Sequence, residues 1–233
     1  MERIAMSALT LLLLFAMSNR TKAQDAKTSY PSMAPLDQYL IERDAEIAMA
    51  KSAAPASISS DAEVLVLGRH GFETAVKGKN GFVCVVERSW AGDINDPEFW
   101  NPKLYAPTCF NPPAARTHLP ITRKRTELAL AGQSKEQIVA GLHAAFDKNE
   151  LPAPERGSIC YMMSRQAYFG ARFGHGVPHL MFYFPATDEI LWGASLPGSP
   201  VLAHQDAPDH LTVFMIPVGK WSDGEPAPID MVH

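Results

Sequence analysis

The chain has 233 residues, 46% of them apolar and 20% charged, with a formal charge of −4 at pH 7. That length and apolar content suffice for one sizeable domain with its own core and exclude a disordered chain. The acidic balance makes nucleic acid and anionic membrane poor partners, and 19 prolines point to long ordered loops rather than a helical bundle.

The start of the chain reads as a targeting signal. Arg3 gives a short positive start, and Ile4 to Met17 is an apolar run of signal-peptide length, too short for a membrane-spanning helix. Thr21-Lys22-Ala23 puts small residues at the −3 and −1 positions, so residues 1–23 are expected to be removed after Ala23; the alternative is an uncleaved anchor. Loss of Arg3, Arg20, Lys22 and Glu2 takes 21 basic and 25 acidic residues to 18 and 24, a formal charge of −6. The expected mature protein is a single domain over residues 24–233, secreted or periplasmic, with no stable membrane span.

Pro35 suits the first turn of a helix, and Leu36, Tyr39, Leu40, Ile47, Ala48 and Ala50 give a helical stripe to about Ala53. Ser57 to Asp61 reads as loop. Glu63–Leu67, Phe72–Lys77 and Phe82–Arg88 read as strands, the first two joined by a turn at Gly68-Arg69-His70-Gly71. Asn80-Gly81 signals a hairpin between the second and third. A type I′ turn there sets Lys77 opposite Cys84, Ala75 opposite Val86 and Glu73 opposite Arg88, the last as a cross-strand ion pair. Glu73 and Glu87 then lie on neighbouring strands but on opposite faces, which makes them poor acid/base partners.

Ser89 to Thr117 reads as irregular, with short helices starting at Asp96-Pro97 and Asn111-Pro112. Trp90, Phe99, Trp100, Tyr105 and Phe110 are expected to pack this loop. Thr122–Ala131 is a helix stopped by Gly132, and Arg123-Lys124-Arg125 on it reads as a solvated basic face. Ser134-x-x-Gln137 is a capping box that opens a helix to Lys148, with Ile138, Val139, Leu142, Ala145 and Phe146 inward and His143 exposed.

Two apolar runs, Ile159–Met163 and Leu180–Phe184, read as core strands around a Gly-rich excursion that ends in Gly174-His175-Gly176-Val177-Pro178-His179. Alternation puts His179, Met181 and Tyr183 on one face and Leu180, Phe182 and Phe184 on the other. Ile190–Gly193 and Val201–Ala203 read as short strands, and Leu211–Ile216, apolar on both faces, as an inner one. This order predicts an α+β fold with an antiparallel sheet of five or six strands and two or three helices, of the profilin type.

Three cysteines, Cys84, Cys109 and Cys160, allow one disulfide and one free thiol in three pairings. Cys84 and Cys160 sit in apolar runs, Cys109 in the long loop. His175 and His179 are candidate ligands for zinc, with His70 as a third and His204, His210 or Asp206 as substitutes, if the loop curls. The glycines and Pro178 remove the helical geometry that would align the two histidines. The alternative is that His179 begins a strand and bonds the backbone while His175 faces solvent. Met162, Met163 and Met181 read as core fillers. Gly193-Ala194-Ser195-Leu196-Pro197 breaks the nucleophile-elbow pattern at its last position. Ser199, His204 and Asp206 supply triad residue types without a specific spacing, and no phosphate loop or dinucleotide fingerprint is present.

Leu67-Gly68-Arg69-His70-Gly71-Phe72-Glu73-Thr74-Ala75-Val76-Lys77, Pro97-Glu98-Phe99-Trp100-Asn101-Pro102 and Lys220-Trp221-Ser222-Asp223-Gly224 resemble stretches of predicted secreted bacterial proteins of no assigned function. The resemblance runs over most of the mature chain and implies export and a shared fold, and it carries over no catalytic residue. Two functional expectations follow: a non-catalytic exported domain that binds a small molecule or a protein partner, or a zinc-dependent hydrolase using His175 and His179.

Overall fold

The computed structural model describes residues 30–227. The leader with its cleavage point, and the last residues of the Pro-rich tail, lie outside them. Among the described residues there are five α-helices: α1 (Arg43–Lys51), α2 (Ala56–Ser59), α3 (Pro112–Thr117), α4 (Leu119–Leu130) and α5 (Lys135–Asp147). Eight strands, β1 (Glu63–Gly68), β2 (Gly71–Val76), β3 (Val83–Arg88), β4 (Tyr105–Phe110), β5 (Ile159–Met162), β6 (His179–Pro185), β7 (Leu202–Asp206) and β8 (Leu211–Pro217), form one sheet. The strand order is β2-β1-β3-β4-β5-β6-β8-β7, and the β1–β3 pair is parallel while all others are antiparallel. This overturns the expected antiparallel sheet of five or six strands with two or three helices, and with it the profilin comparison.

Local chemistry explains most elements. The β1–β2 turn forms as expected, with Gly68 opposite Gly71 and a φ of +124° at Gly71 that a side chain would strain. Glu42 caps α1 through the Ala45 N–H, and Asn111 caps α3 through the Ala114 N–H, with prolines in its first turn. The Ser134/Gln137 capping box opens α5, whose Ile138, Leu142 and Ala145 are buried and whose His143 is exposed. The Leu36–Ala53 stripe is interrupted: Leu36–Gln38 is a 3-10 turn and α1 starts only at Arg43. Pro97–Trp100 is a turn rather than a helix, and Glu189–Trp192 is a 3-10 turn rather than a strand.

Two corrections alter the topology. The Asn80-Gly81 turn does not close a hairpin, because β1 lies between β2 and β3. Asn80 instead accepts from the Phe82 N–H and donates to the Ile58 carbonyl, so this turn redirects the chain into a parallel pairing with Val64 opposite Cys84. Glu73 therefore faces Val66, and Arg88 pairs with Glu46. The second correction is β4, an inner strand where an irregular loop was expected. A proline such as Pro107 cannot donate to a ladder and is disfavoured in an inner strand. In the ladder, Tyr105 N–H and Asn111 N–H both point toward the β5 side, bonding Tyr168 and Ile159. By alternation the Pro107 nitrogen points the same way. β5 ends at Met162 and Met163 N–H turns to Ala53, so the proline sits where the ladder is already open.

The sheet is covered unequally. One face carries α1 and α2 over β1, β3 and β4, and buries Val64, Cys84, Val86 and Cys109. The other carries α3 and α4, with α5 on α4, over a larger core that includes Leu65, Val85, Phe110, Cys160 and Tyr183. Trp90, Phe99 and Trp100 pack the 89–104 segment into that core, as expected.

Cys84 and Cys109, directly opposite on β3 and β4, are disulfide-bonded and buried, and Cys160 is a buried free thiol. The bond closes a loop of sequence separation 25. Replacing both with Ser is expected to cost about 3–4 kcal/mol on the chain-entropy model, read as a lower urea midpoint, and dithiothreitol in urea should reproduce the loss in the native chain.

Candidate functional site

The strands that hold the predicted histidines do not bring them together. His179 is the buried first residue of β6, and its Nδ1 lies 2.7 Å from the Val177 carbonyl. His175 is exposed, with Nδ1 2.7 Å from the Ala167 carbonyl. His70 sits in the β1–β2 turn, five strand positions across the sheet, roughly 24 Å away at the usual strand spacing. His210 precedes β8, whose Leu211 faces Pro185, whereas His179 faces Pro217 at the other end, about 20 Å along the strands. It stacks on Phe146 of α5. His204 and Asp206 lie on the edge strand β7. Among the described residues no group of three or more His, Cys, Asp or Glu side chains is placed to hold a metal ion.

The structure instead assembles a buried polar cluster between the sheet and α4 that the sequence reading missed. Arg125 of α4, expected on a solvated face, is 1% exposed. Its Nε and Nη2 donate to Asp209 Oδ1 at 3.0 and 2.8 Å, Nη2 to Asp206 at 3.4 Å, and Nη1 to the carbonyls of Trp90 and Gly92. Glu87 of β3 accepts from Thr108 of β4 at 2.8 Å and from Thr122 of α4 at 2.9 Å. His118, at the kink between α3 and α4, stacks on Tyr183 with ring centres 3.8 Å apart, and the Tyr183 hydroxyl donates to Cys160 Sγ at 3.0 Å. On the opposite face Glu46 of α1 bonds Arg88 at 2.9 Å and the Leu67 N–H at 3.1 Å, both side chains fully buried.

The electrostatics of this cluster hold its thiol, phenol and imidazole away from neutral-pH chemistry. Burial pushes the Cys160 thiol up to about 12 and the Tyr183 phenol well above its ordinary value. Burial, with the Arg125 charge adding to it, drives His118 down to about 3. Burial also raises Glu87 and Glu46 above the usual carboxylate range, outweighing their hydrogen bonds and the nearby guanidinium charges. Asp209 rises to about 6 by burial, against the pull of Arg125, but its Oδ1 is already occupied by two guanidinium donors. A thiol with such a value is not a nucleophile at pH 7, and an imidazole at 3 is not a base.

Comparison of the chain with protein-family models, with curated proteins and with solved structures finds no match. The geometry therefore carries the functional reading alone.

Its most distinctive surface is the part of the sheet that α1 and α2 leave bare. Register from Cys109 through Tyr161, Leu180 and Ile216 fixes which side chains share the α1 face on β5, β6 and β8. They are Ile159, Tyr161, Leu180, Phe182, Phe184, Thr212, Phe214 and Ile216, and all but the buried Thr212 and Phe214 are partly exposed. The split of β6 into two faces agrees with the alternation in the sequence. No charged side chain occurs in β5 or β8, and β6 carries none beyond His179. A sheet face meant for water is lined by polar side chains; this one is apolar apart from Thr212 and the Tyr161 hydroxyl.

The connection from β6 to β7 crosses over β8 on this same face, because β8 inserts between two strands that run parallel to each other. Trp192 stacks on Phe214 at 4.6 Å and packs at a tilt against Phe184 at 4.8 Å, which anchors the Glu189–Trp192 turn. The turn is further held by Asp188, which accepts from Ile190 N–H, and by Thr187 and Gln205, which bond Thr212. Beyond this anchored base Ile190 is 68% exposed, Leu191 81%, Trp192 44% and Leu196 50%.

Two outcomes test the buried cluster. Arg125→Met strands Asp209 and Asp206 beside the core and is expected to cost about 3–5 kcal/mol in urea unfolding, with part recovered in Arg125→Met/Asp209→Leu. His118 takes a proton near pH 6.5 when unfolded but only near 3 when folded. Between those values the unfolded chain binds more protons, so stability drops as the pH is lowered, by up to about 1.4 kcal/mol per unit. His118→Phe keeps the stack on Tyr183 and should flatten the fall in urea midpoint from pH 6.5 to 4. Asp209 contributes the opposite slope below pH 6 in both proteins, so the difference isolates His118.

Proposed function

We propose that the protein is a non-catalytic exported domain that binds a partner through its uncovered apolar face. The observation that carries this reading is the charge-free strip on β5, β6 and β8 beside the exposed Ile190–Leu191 turn. Contiguous apolar surface of more than a few hundred Å2 on a folded domain marks an interaction site. A fixed turn that presents side chains loses little entropy on binding. The Cys160 thiol and the His118 imidazole are shifted out of the neutral range, and Asp209, raised to about 6, is held by Arg125, which favours binding over catalysis.

Export is supported by the apolar run at Ile4–Met17 and by a buried disulfide, which persists in oxidising compartments. Among the described residues no helix is long and apolar enough to cross a membrane. A secreted or periplasmic location fits these features, as does the resemblance to exported bacterial proteins.

The neutral dye Nile red tests the reading. At sub-micromolar protein the native chain should take up the dye saturably, and Leu191→Asp or Leu180→Thr should weaken uptake about threefold or more, the loss expected when about 0.7 kcal/mol of apolar contact is removed. A native chain that leaves the dye emission unchanged would remove the apolar-surface reading.

A further inference from the structure

We propose that the open face is closed by a second copy of the chain, in a two-fold dimer in which the Ile190–Leu191 turn of each copy seats in the recess of the other. This deepens the apolar-surface reading and rests on it.

The argument starts from shape. α1 stands over one part of this face and the Glu189–Trp192 turn over another, and among the described residues the strip between them has no layer above it. A packed layer stands about 10 Å above a sheet, so the bare strip, floored by Tyr161, Leu180 and Phe182, is a recess. An isologous contact requires one patch to carry both the projection and the hollow it fits. This patch does: the turn projects beside the recess, on the same face of the same sheet.

Electrostatics permit the pairing although the chain is acidic. The contact region of β5, β6 and β8 carries no Asp, Glu, Lys or Arg, so two copies meet without facing like charges. The two acids at the foot of the turn are engaged within their own chain, Asp188 by the Ile190 N–H and Glu189 by Gln205. The area is adequate as well. The four exposed side chains present on the order of 500 Å2, and with the recess floor each copy approaches the roughly 800 Å2 per partner of a stable interface.

Sedimentation equilibrium of the full chain, from about 1 to 100 µM, tests the proposal, since this range brackets micromolar affinity. The expected result is twice the polypeptide mass at the upper end. Ile190→Asp/Leu191→Asp, both on exposed positions, should leave the melting temperature unchanged and weaken self-association at least tenfold. Phe173→Asp, the same change on the exposed aromatic of the β5–β6 loop, should leave it unaltered. A native chain that sediments as a monomer at the highest concentration overturns the proposal. So does a dimer that survives the double substitution or yields equally to Phe173→Asp. The dye separates the two readings: a monomer that still takes up Nile red loses only the dimer, and one that does not loses the apolar surface as well.

Discussion

Strand β3 is the member on which the covered half of the molecule depends. Its alternation sends Cys84, Val86 and Arg88 beneath α1, and Val83, Val85 and Glu87 toward α4. Neighbouring residues thus carry a guanidinium and a carboxylate into opposite cores. Neither is tolerable alone in a low-dielectric interior. Arg88 is met by Glu46, the Tyr39 carbonyl and the Val86 carbonyl; Glu87 is met by two threonine hydroxyls. Each set draws its partners from different elements, so the desolvated charges fix how α1, β1, β4 and α4 sit against β3. Pairs of this kind add little net stability, but they penalise any alternative packing that separates them.

Arg125 plays the same part farther out. It is the tie between α4 and the β7–β8 turn, reaching both Asp206 and Asp209, and it also binds the Trp90 and Gly92 carbonyls that start the long 89–104 segment. A helix face, a strand connection and a loop therefore converge on one guanidinium, whose planar fork suits several acceptors at once. The helices make few packing contacts with β6, β7 or β8, so this polar tie reinforces the apolar contacts at that end, among them the stacks of His118 on Tyr183 and His210 on Phe146.

Local chemistry was legible in the sequence, partnership was not. The capping box at Ser134, the cap at Asn111, the Gly68–Gly71 turn and the alternation of β6 are decided by residues within a few positions of one another. β4 was hidden because Pro107 argues against an inner strand, and only the early end of β5 leaves a gap that admits it. Asn80-Gly81 announced a turn, but a turn does not state which strand lies beside which; β1, earlier in the chain, took the place. Arg125 read as solvated because its neighbours Arg123 and Lys124 are indeed more exposed, and its carboxylate acceptors lie more than 80 residues away. The apolar face of β6 was visible, yet whether a helix covers it depends on where α1 lands.

Unequal cover also separates two mechanical roles. The half under the helices holds the disulfide, the Glu46–Arg88 pair and Glu87, and its core side chains are fully enclosed. The other half is joined to it by the β4–β5 and β5–β6 ladders, the first of them two residue pairs long, and by the Arg125 tie and the His118–Tyr183 stack. Its crossover is irregular, with left-handed residues at Gly193, Ser195 and Gly198. Such a segment keeps one shape only if its ends are anchored, and here Trp192, Thr187 and Ser195 supply the anchors, the last through the Val201 carbonyl. A rigid half that carries a pre-shaped apolar surface at its open side is what recognition requires: the cost of ordering is met in folding, and the contact loses less on forming.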